Sequence, residues 1–271
     1  MNEFGDFYRG RKVLVTGDTG FKGAWLSHWL NMLGAEVHGI GLEPETSPAL
    51  CDVLSLDQKT SQCVIDIRDA DAVRDYIHAL KPDVILHLAA QSLVRRSYRM
   101  PLETMASNIM GTAHVLDAVR GAGYTRDQPC SVVIVTSDKC YENLETGHAY
   151  SETDRVGGHD VYSMSKGAAE LVVSAWRRSF FENNGDSSVR VASCRAGNVI
   201  GGGDWAEDRI VPDCIRALTQ ELPICVRNPN AVRPWQHVLE PLSGYLDVAH
   251  RMYRSEIDAT AWNFGPGKRS E

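Results

Sequence analysis

No stretch of this 271-residue chain approaches the roughly 20 apolar residues that a helix needs to cross a membrane, so no membrane partner is expected. The opening, MNEFGDFYRGRK, is polar and runs at once into a strand-like segment. It lacks the apolar centre of a secretory signal, and a cytoplasmic location is the expectation. Positive charge is short as well. Lys and Arg number 28 against 35 Asp and Glu, a net charge of -7, which offers no basic footprint for a nucleic-acid partner. Cysteine pairing is also missing: Cys51, Cys63, Cys130, Cys140, Cys194, Cys214 and Cys225 are odd in number and scattered. That spacing supports neither a disulfide framework nor a metal site, and reduced thiols are the plain reading. Internal repeats and low-complexity tracts are absent too.

What is present is an ordinary folding composition, 43% hydrophobic and 23% charged, in a chain long enough for one large domain or somewhat more. Short apolar runs alternate with helical periodicity. Strands are predicted at Lys12–Thr16, Glu36–Gly41, Val64–Asp66, Asp83–Ala89, Ser131–Ser137 and Val189–Arg195. Helices are predicted at Gly23–Leu33, Asp69–Leu80, Pro101–Gly121 and Tyr162–Phe181. That rhythm predicts an α/β fold, a doubly wound parallel sheet of the Rossmann kind, with right-handed crossovers. Residues 1–195 would form this dinucleotide-binding domain. Residues 196–271 are richer in Gly, Pro and Trp and would supply a smaller substrate-binding lobe, interleaved with late elements of the sheet.

The first strand runs into Thr16-Gly17-Asp18-Thr19-Gly20-Phe21-Lys22-Gly23, with glycines three apart. Glycines at this spacing let the backbone turn tightly, approach a pyrophosphate and bring the next helix against the sheet, where its N-terminus faces the anion. A glycine triplet alone also occurs in structural turns; its place between first strand and first helix makes it a cofactor cradle. The second strand ends Gly39-Ile40-Gly41-Leu42-Glu43, with no acid directly at its tip, Glu43 beyond it being either a ribose contact or a solvated loop residue, and no arginine for a 2′-phosphate. NAD is favoured over NADP. Asp66 is placed to receive the adenine amino group, with Ile67 beside the ring; capping the next helix is its rival role.

Tyr162 and Lys166 share one helix face at i,i+4 spacing. An ammonium beside a phenol favours the phenolate, which would take a proton from a sugar hydroxyl as hydride leaves the same carbon. The preceding strand ends Thr136-Ser137-Asp138-Lys139-Cys140-Tyr141. Ser137 is a hydroxyl donor at the strand end where such sheets place chemistry, and Asp138 with Lys139 would suit an elimination. A plain surface pair and a loop ion pair are the rival readings.

On these residues the chain resembles the extended short-chain dehydrogenase/reductases that modify sugar nucleotides, and specifically their CDP-glucose 4,6-dehydratase branch. The match lies in Ser137-Asp138-Lys139-Cys140-Tyr141, the glycine turn, Leu88–Gln91, Arg195-x-Gly-Asn198 with the Gly-rich run to Asp204-Trp205, and Arg233–His237. The resemblance implies NAD held by Gly17, Thr19, Gly20, Phe21, Lys22 and Gly23, by Asp66, Ile67, Leu88, Ala89 and Ala90, and by Tyr162 and Lys166. It implies catalysis by Ser137, Asp138, Lys139, Tyr162 and Lys166, no metal, and a substrate, CDP-glucose, bound by Gln91, Arg195, Asn198, Arg233 and His237. The product would be CDP-4-dehydro-6-deoxyglucose, and the helices at 101–121 and 162–181 would pair in a homodimer. Two departures stand out. The branch carries His where this chain has Asp18, and its members continue beyond the late segment Trp262–Gly267, so the substrate lobe here is expected to be incomplete. A sugar-nucleotide 4-epimerase or reductase, or an inactive truncated member, are the alternatives.

Overall fold

The computed structural model describes residues 4–144, 146–182, 188–258 and 260–267. Among the described residues nine strands form: β1 (Lys12–Thr16), β2 (Glu36–Gly41), β3 (Ser61–Val64), β4 (Val84–His87), β5 (Cys130–Val135), β6 (Val189–Ala196), β7 (Val199–Ile200), β8 (Gln236–His237) and β9 (Ala261–Phe264). Seven of them make one sheet in the order β3-β2-β1-β4-β5-β6-β9, every neighbouring pair parallel. Strand order reverses between β1 and β4, which opens a crevice beyond their C-terminal ends where such sheets bind ligands. β7 and β8 form a separate parallel pair.

The near-continuous apolar strands reflect burial on both faces. Val13 and Val15 of β1 point into one core with Leu26, Leu30, Leu86 and Val133. Leu14, between them, points into the other with Ile77, Ile85, Leu116, Val132 and Val191. The α-helices among the described residues are α1 (Phe21–Met32), α2 (Leu50–Val53), α3 (Ala70–Leu80), α4 (Val94–Arg99), α5 (Pro101–Met105), α6 (Gly111–Gly121), α7 (Val161–Trp176), α8 (Ile210–Thr219) and α9 (Leu239–Tyr253), of which α1 and α9 pack into the first core and α3, α6 and α7 into the second. Asp69 caps α3, accepting from the Ala72 N–H at 3.0 Å.

Several elements differ from the expectation. The third strand is Ser61–Val64, not Val64–Asp66; it is an exposed sheet edge without an apolar face, so periodicity misses it. The helix predicted over Pro101–Gly121 is interrupted by a π-helical turn, Ala106–Met110, between α5 and α6. The helix predicted to Phe181 leaves α-geometry after Trp176 and ends in a second π turn, Arg177–Phe181. The N-terminal segment, read as polar, buries Phe4 and Tyr8, and the Tyr8 hydroxyl donates to Leu246 O at 2.7 Å.

Past residue 196 the chain divides its work. α9 returns to the sheet, burying Leu242, Tyr245, Leu246 and Met252 in the first core, and β9 extends the sheet beside β6. Between β6 and α9, β7, α8 and β8 lie beyond the strand ends, and Trp25 Nε1 of α1 donates to Gly202 O at 2.9 Å. Among the described residues no helix is long and apolar enough to cross a membrane, and no three His, Cys, Asp or Glu side chains gather for a metal.

Candidate active site

The glycine turn is shaped by close approach. Gly17 adopts φ +74°, and a Cβ there would lie 2.8 Å from the Ala89 backbone. A Cβ on Gly23 would lie 2.0 Å from Gly17 O, so only glycine lets α1 start this near the turn. α1 opens after Gly20 with no side-chain cap and no acid in its first turn, leaving its N–H end for an anion. Thr19 Oγ1 donates to Leu42 O at 2.8 Å and ties the turn to the exit of β2. The backbone-lined, uncapped cradle fits a dinucleotide pyrophosphate.

Behind it runs a buried polar chain that the sequence did not announce. Thr16 Oγ1 accepts from the Ala89 N–H at 3.1 Å and lies 2.7 Å from His87 Nδ1. His87 Nε2 lies 3.3 Å from Thr112 Oγ1, whose hydrogen goes to Asn108 O at 2.8 Å. The assignment that satisfies every atom has Thr16 donating to Nδ1 and Nε2–H donating to Thr112, a neutral imidazole. Asn108, in the π turn, receives the Gln91 N–H at 2.8 Å and donates to Gln91 O at 3.0 Å and Ser165 Oγ at 2.8 Å. The π turn thus aims an amide that locks the loop carrying Leu88, Ala89 and Ala90 to α7.

Burial, aided by the charge of Lys166, pushes the His87 pKa down to about 3 from 6.5. Below pH 6.5 the unfolded chain takes a proton that the folded site refuses. Stability from this residue is therefore complete above pH 6.5 and is lost as pH falls toward 3. Lowering the pH from 6.5 to 5 should cost about 2 kcal/mol through His87 alone. Urea unfolding at the two pH values tests this, and His87→Gln should remove that part of the pH dependence.

Ser137, at the exit of β5, donates to Asp138 Oδ1 at 3.0 Å and accepts from the Lys139 N–H at 3.3 Å, opening a short 3-10 turn over Asp138–Cys140. Tyr162 sits in the first turn of α7, capped by Asp160, which accepts from the Ser163 N–H at 2.9 Å. Ser137, Tyr162 and Lys166 are all buried, and Ser137 is within hydrogen-bonding reach of the phenol. The expectation that Lys166 lowers the phenol needs correction. Burial pushes Tyr162 up to about 12, opposed by the Ser137 hydrogen bond and by Arg209. Lys166 instead donates to Val135 O at 3.4 Å, and burial draws its own pKa down to about 8 against the pull of Glu170. Lys22 is likewise lowered to about 8, by burial and then by Arg209 and Lys166, with Asp138 opposing. Lys22, Asp138, Tyr162, Lys166 and Arg209 therefore share one small electrostatic neighbourhood. The half-buried Lys139 side chain has no hydrogen bond or ion pair among the described residues.

The substrate-side residues divide. Gln91 was expected to touch substrate, but its amide is consumed by its own loop: Nε2 donates to Leu93 O and Thr104 Oγ1, and Oε1 receives the Leu93 N–H. Arg195, given the same role, is turned into the fold. It pairs with Glu170 at 2.7 Å and donates to Tyr141 OH at 2.7 Å and Glu152 O at 3.0 Å. Asp66 is drawn to Arg68, which donates to both its oxygens and also gives its N–H at 2.9 Å. Ile67 is buried, its carbonyl held by His114 Nδ1 at 2.9 Å. Asn198, Arg233 and His237 remain at the open side. Asn198 O pairs with the Gln236 N–H, while Arg233 and His237 are exposed. A Cβ on Gly197 would lie 2.6 Å from Pro234 and 3.3 Å from Asp138 Oδ2, so this segment closes over the acid.

Three participants were missed. Arg209 donates to Asp204 at 2.8 Å and Ser92 at 3.2 Å and projects its charge onto Tyr162 and Lys22; nothing local in the sequence marks it. Asn108 carried a weak signal, a poor helix former inside a predicted helix. Glu170 carried a clear one, continuing the i,i+4 series of Tyr162 and Lys166.

The family model described as GDP-mannose 4,6 dehydratase matches residues 14–258. A CDP-glucose 4,6-dehydratase from Salmonella typhimurium is 49% identical over 264 residues, covering 96% of this chain and 72% of that protein. The dTDP-glucose 4,6-dehydratase 1 of Escherichia coli is 29% identical over 185 residues, 62% of this chain and 51% of that protein. Among solved structures, DesIV, a dTDP-glucose 4,6-dehydratase from Streptomyces venezuelae with NAD and TYD bound, superposes with TM-score 0.77 at 24% identity, over 94% of this chain and 76% of that one. A UDP-glucose 4-epimerase from Thermotoga maritima with UDP-glucose gives 0.78 at 20% identity, over 95% and 77%. The superpositions bear on the fold alone; the family match spans most of the chain. By that match, together with the 49% identity, this chain belongs to the GDP-mannose 4,6-dehydratase family.

Proposed function

We propose that this chain carries an NAD-dependent lyase activity that dehydrates CDP-glucose to CDP-4-dehydro-6-deoxyglucose. The observation that carries it is the gathering of Ser137, Tyr162 and Lys166 with Asp138 and the unpartnered Lys139 at the exit of β5, in a chain 49% identical to a CDP-glucose 4,6-dehydratase. An oxidation alone needs the first three; the added acid and base suit loss of water.

NAD would lie on the Gly17–Gly23 turn, flanked by Ala89 and Ile67, and when bound it supplies hydride acceptance at sugar C4 and hydride return at C6. Tyr162 takes the C4 hydroxyl proton, aided by Ser137. Lys139, as the neutral amine, removes the C5 proton, acidified by the new ketone, and Asp138, as the carboxylic acid, protonates the departing C6 hydroxyl, which leaves as water; Lys139 then returns a proton to C5. Arg233, Asn198 and His237, at the open side, would meet the nucleotide; a guanidinium fork suits two phosphate oxygens.

Incubation with CDP-glucose and NAD should yield a 6-deoxyhexose methyl signal by proton NMR. Asp138→Asn should still draw hydride onto the nicotinamide but yield no methyl, and Lys139→Met should lose deuterium incorporation at C5 from heavy water. A clean C4 epimer of the starting sugar, with no methyl, would sink the dehydratase reading.

The same reading includes a homodimer. α5, the π turn that follows it and α7 expose Leu102 at 79%, Leu171 at 61%, Met105 and Met110, apolar surface that pairing would remove from water. Sedimentation should show a dimer, and the double change Leu102→Arg with Leu171→Arg should give a folded monomer.

A further inference from the structure

We infer that Asp18 is the residue that selects the adenosine ribose of the cofactor, accepting from its 2′-hydroxyl and excluding a 2′-phosphate. The inference rests on the reading of the glycine turn as a nicotinamide-dinucleotide cradle. In that kind of site the selecting acid ordinarily projects from the end of the second strand. Here β2 ends in Gly39, Ile40 and Gly41, and its tip carries no acid.

Asp18 comes from the other side of the cleft to fill that place. A Cβ on Gly39 would lie 2.1 Å from Asp18 Oδ2, and one on Gly41 would lie 3.2 Å from Oδ1. The carboxylate therefore occupies the space above β2 that a side chain on either glycine would need. Gln62 of the edge strand β3 donates to Oδ2 at 2.5 Å and fixes its orientation. Thr19, the next residue, is anchored to Leu42 O, so the loop that delivers Asp18 is tied to the strand it serves.

A cavity of about 120 Å³ opens at this point, lined among others by Asp18, Thr19, Gly41, Glu43 and Gln62. Among the described residues no lysine, arginine or histidine lines it. A ribose diol brings hydroxyl donors, which a carboxylate receives well. A 2′-phosphate brings negative charge beside a carboxylate that is 2% exposed, with no cation to offset it. Simple space-filling over Gly39 would not call for a charge. Burial raises the pKa of Asp18, so the site retains the carboxyl against a desolvation penalty. Glu43, the alternative acceptor, is exposed on the loop and offers no fixed geometry.

The test is equilibrium titration of nucleotide-stripped protein with NAD and with NADP, read by calorimetry, for the wild type, Asp18→Asn and Glu43→Gln. Asp18→Asn preserves the volume over Gly39, and thermal melting verifies that it folds. The wild type should favour NAD by about 100-fold. Asp18→Asn should narrow the ratio by roughly tenfold or more, the value of one hydrogen bond to a charged acceptor, through weaker NAD and tighter NADP binding. Glu43→Gln should leave the ratio in place. An unchanged ratio in Asp18→Asn, or its collapse in Glu43→Gln, overturns the inference while leaving the cofactor reading standing. Failure of the wild type to bind either dinucleotide overturns the cofactor reading, and the inference with it.

Discussion

Tyr162→Phe is expected to lower turnover of the nucleotide sugar by roughly 10²–10⁴-fold, with little change in dinucleotide affinity. The phenol is the one group at the exit of β5 whose deprotonation the proposed first step requires, and its surroundings make that proton costly to remove. Burial pushes it up to about 12, and the charges of Asp138 and Asp160 work in the same direction. The Ser137 hydrogen bond and Arg209 oppose them. Ser137→Ala should therefore also be slow, and the double variant little worse than Tyr162→Phe, because the two groups act as a unit. Single-turnover kinetics separate the chemical step from binding. A wild-type rate in Tyr162→Phe would remove the phenol from the mechanism. The pH profile adds a sign. Lys166, whose ammonium is proposed to help hold the dinucleotide, loses its charge as pH rises through about 8, so kcat/KM should fall there. Lys22 titrates in the same range, and Lys22→Met tells the two apart by leaving a limb that belongs to Lys166.

Glu170→Gln should destabilise the fold by about 3–5 kcal/mol, the usual consequence of stripping one partner from a buried ion pair. Both side chains are nearly inaccessible, Glu170 at 5% and Arg195 at 6%. The glutamate also collects hydroxyl donors, Thr136 at one oxygen and Ser193 at 2.7 Å at the other. Arg195 in turn holds Tyr141, whose hydroxyl donates to Asn263 Oδ1 at 2.7 Å and so ties β6 to β9. Removing the carboxylate leaves a guanidinium buried without its counter-charge. Replacing both members, Glu170→Leu with Arg195→Leu, should cost far less, since neither charge is then stranded. Urea unfolding reads the difference, and equal losses in the single and double variants would contradict it. Stability is not the only readout. Glu170 raises the Lys166 pKa, so Glu170→Gln should move the alkaline limb of kcat/KM to lower pH.

The sheet was readable because its strands repeat an elementary pattern. Val13, Leu14 and Val15 are apolar in succession because both faces of β1 are covered, and β4 and β5 follow the same rule. β3 was misplaced because Ser61-Gln62-Cys63-Val64 is exposed throughout and held by backbone pairing to β2, which leaves no mark on residue choice. The π turns were not readable, since one inserted residue per turn shifts a helical period by less than the scatter of real sequences.

Within the site, spacing found what lies on one element. The glycines of one turn, Ser137 with its two neighbours, and Tyr162 with Lys166 are local patterns. Glu170 belongs to the same helix face and was passed over because an acid on a helix usually points to water. Arg195 and Gln91 were assigned to substrate on the resemblance of their segments alone; here their partners, Glu170 and Thr104, come from other parts of the chain.

The sequence by itself determined the parallel α/β architecture, the cofactor turn and the serine–tyrosine–lysine set, because backbone geometry and side-chain period are short-range properties. Only the tertiary structure decided which charges are desolvated together: Lys22 beside Lys166 and Arg209, Asp18 over Gly39, Arg195 against Glu170. Desolvation and Coulomb energy depend on distances through the folded core, and no spacing along the chain encodes them.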